Sequence, residues 1–95
     1  MARQLEVGHN YLGIRASALQ WTGDNINAVE RFLKRHELDI SFRIDKTSTT
    51  LGLLDMRAVT MMLFDTSDWI LVEVNHKNVM KQTNAQLQND WRVIN

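Results

Sequence analysis

The chain contains no cysteine and no proline, and only four glycines among its 95 residues. The missing cysteine excludes disulfides, a thiolate nucleophile and cysteine-based zinc or iron–sulfur sites. The missing proline leaves every break in secondary structure to the glycines and to clusters of Asn, Asp, Ser and Thr. Neither sign of charge is in excess, since eleven basic residues balance eleven acidic ones. A basic footprint for duplex nucleic acid is therefore absent, as is the acid-rich surface of a DNA mimic. Near-zero net charge also gives little electrostatic protection against self-association. No apolar run approaches the roughly 20 residues that span a bilayer, and residues 1–8 have no hydrophobic signal core. A cytoplasmic protein with no membrane partner is expected.

What is present is ordinary for a folded chain, 44% hydrophobic and 23% charged, enough for one core with little to spare. The stretch 19–36 organises the rest. Trp21-Thr22-Gly23 turns the chain, and Ile26, Val29, Phe32 and Leu33 then recur at helical spacing, with Glu30, Arg31, Lys34 and Arg35 on the opposite face. Asp24 or Thr22 is a suitable N-cap, and Lys34, Arg35 and His36 suit the negative end of the helix dipole. Residues 1–10 read as a flexible or edge-packed lead-in, and residues 11–95 as a single α+β domain.

Period-two alternation marks a strand over 11–20, where small Ala16 and Ala18 leave room for the helix, and another over 38–45, with Leu38, Ile40, Phe42 and Ile44 on one face. A short apolar piece, 51–54, precedes strands at 58–64 and 69–75, both apolar on both faces and so central or covered by an interface. A short segment, 79–82, leads to a second helix over 84–90. Thr83 followed by Gln86 is a capping-box signature for it, and residues 91–94 end extended. The expected fold is α+β: a mainly antiparallel sheet of four to five strands, one amphipathic helix packed across it and a short C-terminal helix.

Candidate chemistry is sparse. His9, His36 and His76 fall in the lead-in, a helix end and a turn, with no metal-ligand spacing. Asp65 and Asp68 lack the remaining ligands of a calcium loop. No serine sits in a nucleophile elbow and no phosphate-cradling glycine pattern occurs. No metal, cofactor or catalytic residue is assigned. Two features stand above this background. Arg15, Ser17, Ser41 and Arg43 would share a polar sheet face if their strands pair, a set of donors suited to phosphate or carboxylate. Met61, Met62, Phe64, Leu71 and Trp91 offer adaptable apolar surface for an oligomer or partner interface. Trp21 and Trp69, each beside a turn, read as core anchors.

The segment Ala18-Leu19-Gln20-Trp21-Thr22-Gly23-Asp24-Asn25 followed by a short amphipathic helix, together with Ser67-Asp68-Trp69-Ile70, resembles a family of small bacteriophage and prophage proteins. Those open with an ALQWTGDN-type segment and carry a GDWI turn and strand; the likeness runs roughly over residues 12–94. Ser67 stands where the family has Gly, and Asn75-His76-Lys77-Asn78-Val79-Met80 replaces an aromatic-rich segment. The resemblance implies a viral accessory protein made in the host bacterial cytoplasm, and supplies no reaction, cofactor or catalytic residue. The expected role is non-enzymatic binding that inhibits a host defence or metabolic protein, in a chain that forms homo-oligomers. The alternatives are an oligomeric sponge for a small anionic, nucleotide-like signal, clamped by Arg15 and Arg43, and a virion-associated structural subunit.

Overall fold

The computed structural model describes residues 4–94. Their fold is α+β, with two helices and two antiparallel sheets. The larger sheet runs, edge to edge, β7 (Val79–Gln82), β6 (Trp69–Glu73), β2 (Arg15–Gln20), β1 (Gln4–His9) and β8 (Trp91–Val93). The smaller is β3 (Phe42–Thr47), β4 (Thr50–Asp55) and β5 (Thr60–Phe64). Between β2 and β3 lies α1 (Ile26–Arg35); between β7 and β8 lies α2 (Asn84–Asp90).

Strand β6 explains why its sequence is apolar on both faces. It sits inside the five-stranded sheet, with β2 on one side and β7 on the other. Ile70 and Val72 enter one core with Leu19, Trp21, Leu51, Leu53 and Phe64 and with Val29, Phe32 and Leu33 of α1. Trp69 and Leu71 enter a second core with Val7, Ala16, Ala18, Leu87 and Trp91. Ala16 and Ala18 thus make room not for α1 but for two indoles on the opposite face. Each indole N–H finds an acceptor, Trp69 on Asn84 Oδ1 at 3.0 Å and Trp91 on Gln82 Oε1 at 3.3 Å.

The two segments 18–25 and 67–70, distant in the chain, lie together. Gln20 pairs with Trp69 in the β2–β6 ladder. Trp21 N–H donates to Asp68 O at 2.8 Å, and Ser67 N–H to Trp21 O at 2.9 Å. Buried Trp21 also donates its indole N–H to Thr49 O at 2.7 Å, tying this turn to the smaller sheet. Gly23 has φ +94°, a conformation that favours glycine, and a Cβ there would also crowd Thr66 Oγ1 at 3.1 Å. Ser67 has φ +86°, a left-handed position that favours glycine.

Several boundaries differ from the sequence pattern, each for a local reason. Residues 4–9, within the expected lead-in, form β1, which is paired to β2 and to β8; residues 1–3 lie outside the described ones. The N-cap of α1 is Asn25, not Asp24 or Thr22, and its side chain makes no cap bond. It closes the preceding turn instead, accepting from Thr22 N–H at 2.8 Å and donating to Gln20 O at 2.9 Å. Leu38 belongs to the end of α1 rather than to a strand. Leu38 N–H bonds Leu33 O at 2.8 Å and Glu37 N–H bonds Lys34 O at 3.0 Å, with Glu37 left-handed at φ 60°. This is a Schellman cap, with Leu38 and Leu33 making its apolar contact in the first core. A turn through Ser41 follows, which leaves Ile40 86% exposed. The capping box of α2 forms as its signature implies: Gln86 N–H bonds Thr83 Oγ1 at 3.2 Å and Thr83 N–H bonds Gln86 Oε1 at 2.8 Å.

Candidate interaction surface

The smaller sheet has two edges of opposite character. On β3, Arg43, Asp45 and Lys46 are exposed, and an edge strand carrying charge resists further pairing. The sequence of β5, Thr60-Met61-Met62-Leu63-Phe64, carries no charge. Its inward residues are Met62, which packs against the first core, and Phe64, which is fully buried in it. Its outward residues are Met61, 44% exposed, and Leu63, 56% exposed. In the β4–β5 register Met61 stands beside Leu54 and Leu63 beside Gly52, so three apolar side chains share one outer face. Gly52 supplies its floor: a Cβ there would meet Asp45 O at 2.9 Å and Met61 Sδ at 3.1 Å.

The turn into β5 adds a further exposed apolar residue next to this strand. Val59 is 83% exposed and holds φ 51°, a conformation that a β-branched residue rarely adopts. The turn is held from its first residue. Asp55 Oδ1 accepts from Arg57 N–H at 2.9 Å and from Nε at 3.0 Å, and Asp55 Oδ2 accepts from Nη2 at 3.2 Å. This forked bond with Arg57 holds the Asp55 carboxyl below its ordinary range. The guanidinium lies 5.0 Å from the centre of the Phe42 ring, so Arg57 is anchored and not a free cation.

The residues expected to form an apolar interface therefore divide. Met61 is exposed and Met62 half-buried. Phe64, Leu71 and Trp91 are enclosed by their own chain and cannot meet a partner while it stays folded. The physical reason is that two cores form: Phe64 enters the first with α1, and β8, α2 and β1 cover the other face of β6, enclosing Leu71 and Trp91 in the second. Leu63, Leu54 and Val59 belong to the accessible surface instead. Their signal was the alternation of Val59, Met61 and Leu63 against Thr60, Met62 and Phe64. That pattern does not say which face the core will take.

The expected polar constellation does not assemble. Arg15 and Ser17 lie on β2 of the larger sheet, while Arg43 lies on β3 and Ser41 in the turn before it, in the smaller one. Ser17 is buried, and its hydroxyl donates to the Glu6 carboxylate at 2.9–3.0 Å. Ser41 O accepts from Met56 N–H at 2.9 Å. Arg43 lines an open cleft between α1 and β3 of about 650 Å³, with Lys34 and Lys46 and also with Glu30 and Asp39. Two carboxylates offset two of the three cations there, so the cleft is close to neutral rather than a cationic clamp.

At the C-terminal end of α1 the His36 ring meets Phe32 edge-on, with centroids 4.9 Å apart. Its Nε2 is buried without a hydrogen-bond partner. Burial pushes the imidazole below its ordinary value, with Glu6 opposing and Arg35 and Lys77 adding to the shift. Lys77 Nζ donates to His36 O at 3.2 Å, capping a terminal carbonyl of the helix. Among the described residues, no group of three or more His, Asp or Glu side chains is placed to hold a metal ion. Neither helix is long and apolar enough to cross a membrane. Comparison of the chain with protein-family models, with curated proteins and with solved structures finds no match.

Proposed function

We propose that this chain is a non-enzymatic accessory protein that acts by gripping a host protein, and that the grip is the β5 edge with its outer face. The observation that carries the reading is an uncharged, unprotected edge strand whose outward side chains, Met61 and Leu63, stand in solvent. An extended segment of a partner gains main-chain hydrogen bonds along such an edge, and its alternate side chains can rest on Met61, Leu63 and Leu54. Methionine adapts to varied partner shapes. In this reading α1 lies across the sheets as a fixed brace and takes no part in contact. The likeness of residues 18–25 and 67–70 to small phage proteins supports an accessory role in a bacterial host.

The same edge favours self-pairing as a second reading. An antiparallel two-fold centred on Met62 sets Met61 against Leu63 of the second copy and opposes no like charges. A photo-crosslinking residue at position 63 separates the two. An adduct with one host protein, lost in Met61→Lys and absent when the crosslinker sits at Asp45 on β3, supports the first reading. An adduct of twice the chain mass assigns the edge to a homodimer. Host adducts that form equally from position 45 would overturn both.

A further inference from the structure

The other end of the larger sheet carries a feature that the β5 surface does not use. Gly8 sits in β1 between two arginines, since it pairs with Arg15 of β2 and with Arg92 of β8. Cross-strand partners project from the same face of a sheet. Both side chains therefore rise beside a residue that has none of its own. The guanidinium of Arg92 leans into the vacant space, with Cζ 3.8 Å and Nη2 3.9 Å from where a Cβ of Gly8 would lie, and Ile94 walls it at 3.5 Å. The result is an open hollow of about 330 Å³ that also includes Gly13 and Ile14.

Its electrostatics are one-sided. Arg15 and Arg92 are exposed, and among the described residues neither makes an ion pair. Arg92 Nη1 donates to His9 O at 3.5 Å. Among the described residues, no carboxylate lines the hollow. The nearest one on this face of β1, Glu6, receives the Ser17 hydroxyl and, at 3.1 Å, the Gln4 amide. His9 Nδ1 is turned back to its own loop, where it accepts from the N–H groups of Tyr11 and Leu12 at 3.1 Å each. In a chain of zero net charge this is a local concentration of positive potential.

We infer that the Gly8 hollow binds the phosphate group of a small phosphate monoester, with Arg15 and Arg92 as a two-sided clamp and Ile94 against the apolar part of the ligand. Two guanidinium forks on either side of a bare glycine suit a tetrahedral oxyanion, each offering a pair of parallel N–H donors. Across two strand spacings the two arginines stand roughly 10 Å apart at their Cα atoms, a span that long side chains close around a single anion. The clamp replaces the expected Arg15–Arg43 pairing, which two separate sheets prevent, and it is independent of the β5 reading.

Titration calorimetry of the full chain with adenosine 5′-monophosphate, inorganic phosphate and adenosine tests the assignment. The monophosphate is expected to bind, inorganic phosphate to compete for the same site, and adenosine to give no heat. Arg15→Gln and Arg92→Gln should each weaken binding about tenfold or more, whereas Arg43→Gln should leave it unchanged. All three positions are exposed, and thermal melts of the variants confirm that they fold. Equal binding of adenosine, undiminished affinity in Arg92→Gln, or no heat from either phosphate probe at millimolar concentration overturns the proposal.

Discussion

Strands β3 and β5 are the two edges of one small sheet, yet only one of them is defended. Each buries an aromatic residue in the same core, Phe42 from β3 and Phe64 from β5. They differ in what they turn outward: Arg43 and Asp45 on one, Met61 and Leu63 on the other. Burial of the inner face fixes the sheet in both cases and leaves the outer face free to be chosen for another purpose. Charge on β3 keeps that edge from pairing with other strands. On β5 the outward Met61 and Leu63 lie outside both cores, and this uncharged face is the one that the proposed function assigns to a partner.

The largest expected effect separates the two faces of β5 itself. Phe64→Ala should cost about 3–5 kcal/mol of stability in urea unfolding, as large-to-small changes in a packed core do. Leu63→Ala on the outer face should stay within about 1 kcal/mol. Equal losses would mean that the outer face is part of the fold and would remove the contrast. Next comes the contact. Leu63→Lys should lower partner affinity roughly 30-fold, or about 2 kcal/mol, as loss of a central apolar anchor does. Its melting temperature should hardly move, and Asp45→Leu on β3 should produce new self-association in light scattering.

Smaller effects sharpen the comparison through the turns. Val59→Gly, at the entrance to β5, and Ser67→Gly, in the turn before β6, should each stabilise by about 1 kcal/mol by relieving a left-handed backbone. A loss of stability at position 59 would show that the exposed Val side chain is already packed. The smallest effect lies at His36, away from both edges. Burial holds its imidazole below the ordinary 6.5, so the fold favours the neutral form. The unfolded chain takes up this proton first. The contribution is therefore complete above about pH 6.5 and is lost as pH falls below that towards the depressed folded value. Between pH 7 and 5, His36→Gln should lose less stability than the native chain.

The expected four- to five-stranded sheet missed how residues 4–9 and 91–93 complete it. Gln4-Leu5-Glu6-Val7-Gly8-His9 has only weak alternation, and its strand conformation depends on β2 and β8 on either side. The capping box at Thr83 and the amphipathic face of α1 were legible because each is written within one or two turns of helix. Ile40 misled because the helix cap through Leu38 and the turn after it interrupt a pattern that alternation alone would continue. The proposed anion clamp was half visible: Arg15 has the right chemistry, but Arg92 stands at the far end of the chain and is brought alongside by register.

By itself the sequence determined the local units: the α1 stripe, the α2 cap, the glycine turn at 23 and the alternation of β2 and β5. It also excluded thiol chemistry and a net charge of either sign. Tertiary structure alone decided which apolar faces are spent. Phe64, Leu71 and Trp91 went to two cores, and Met61, Leu63 and Val59 were left outside. Hydrophobic burial has no direction of its own. A strand with two apolar faces buries whichever one the rest of the chain can cover, and that is settled only when all the strands are in place.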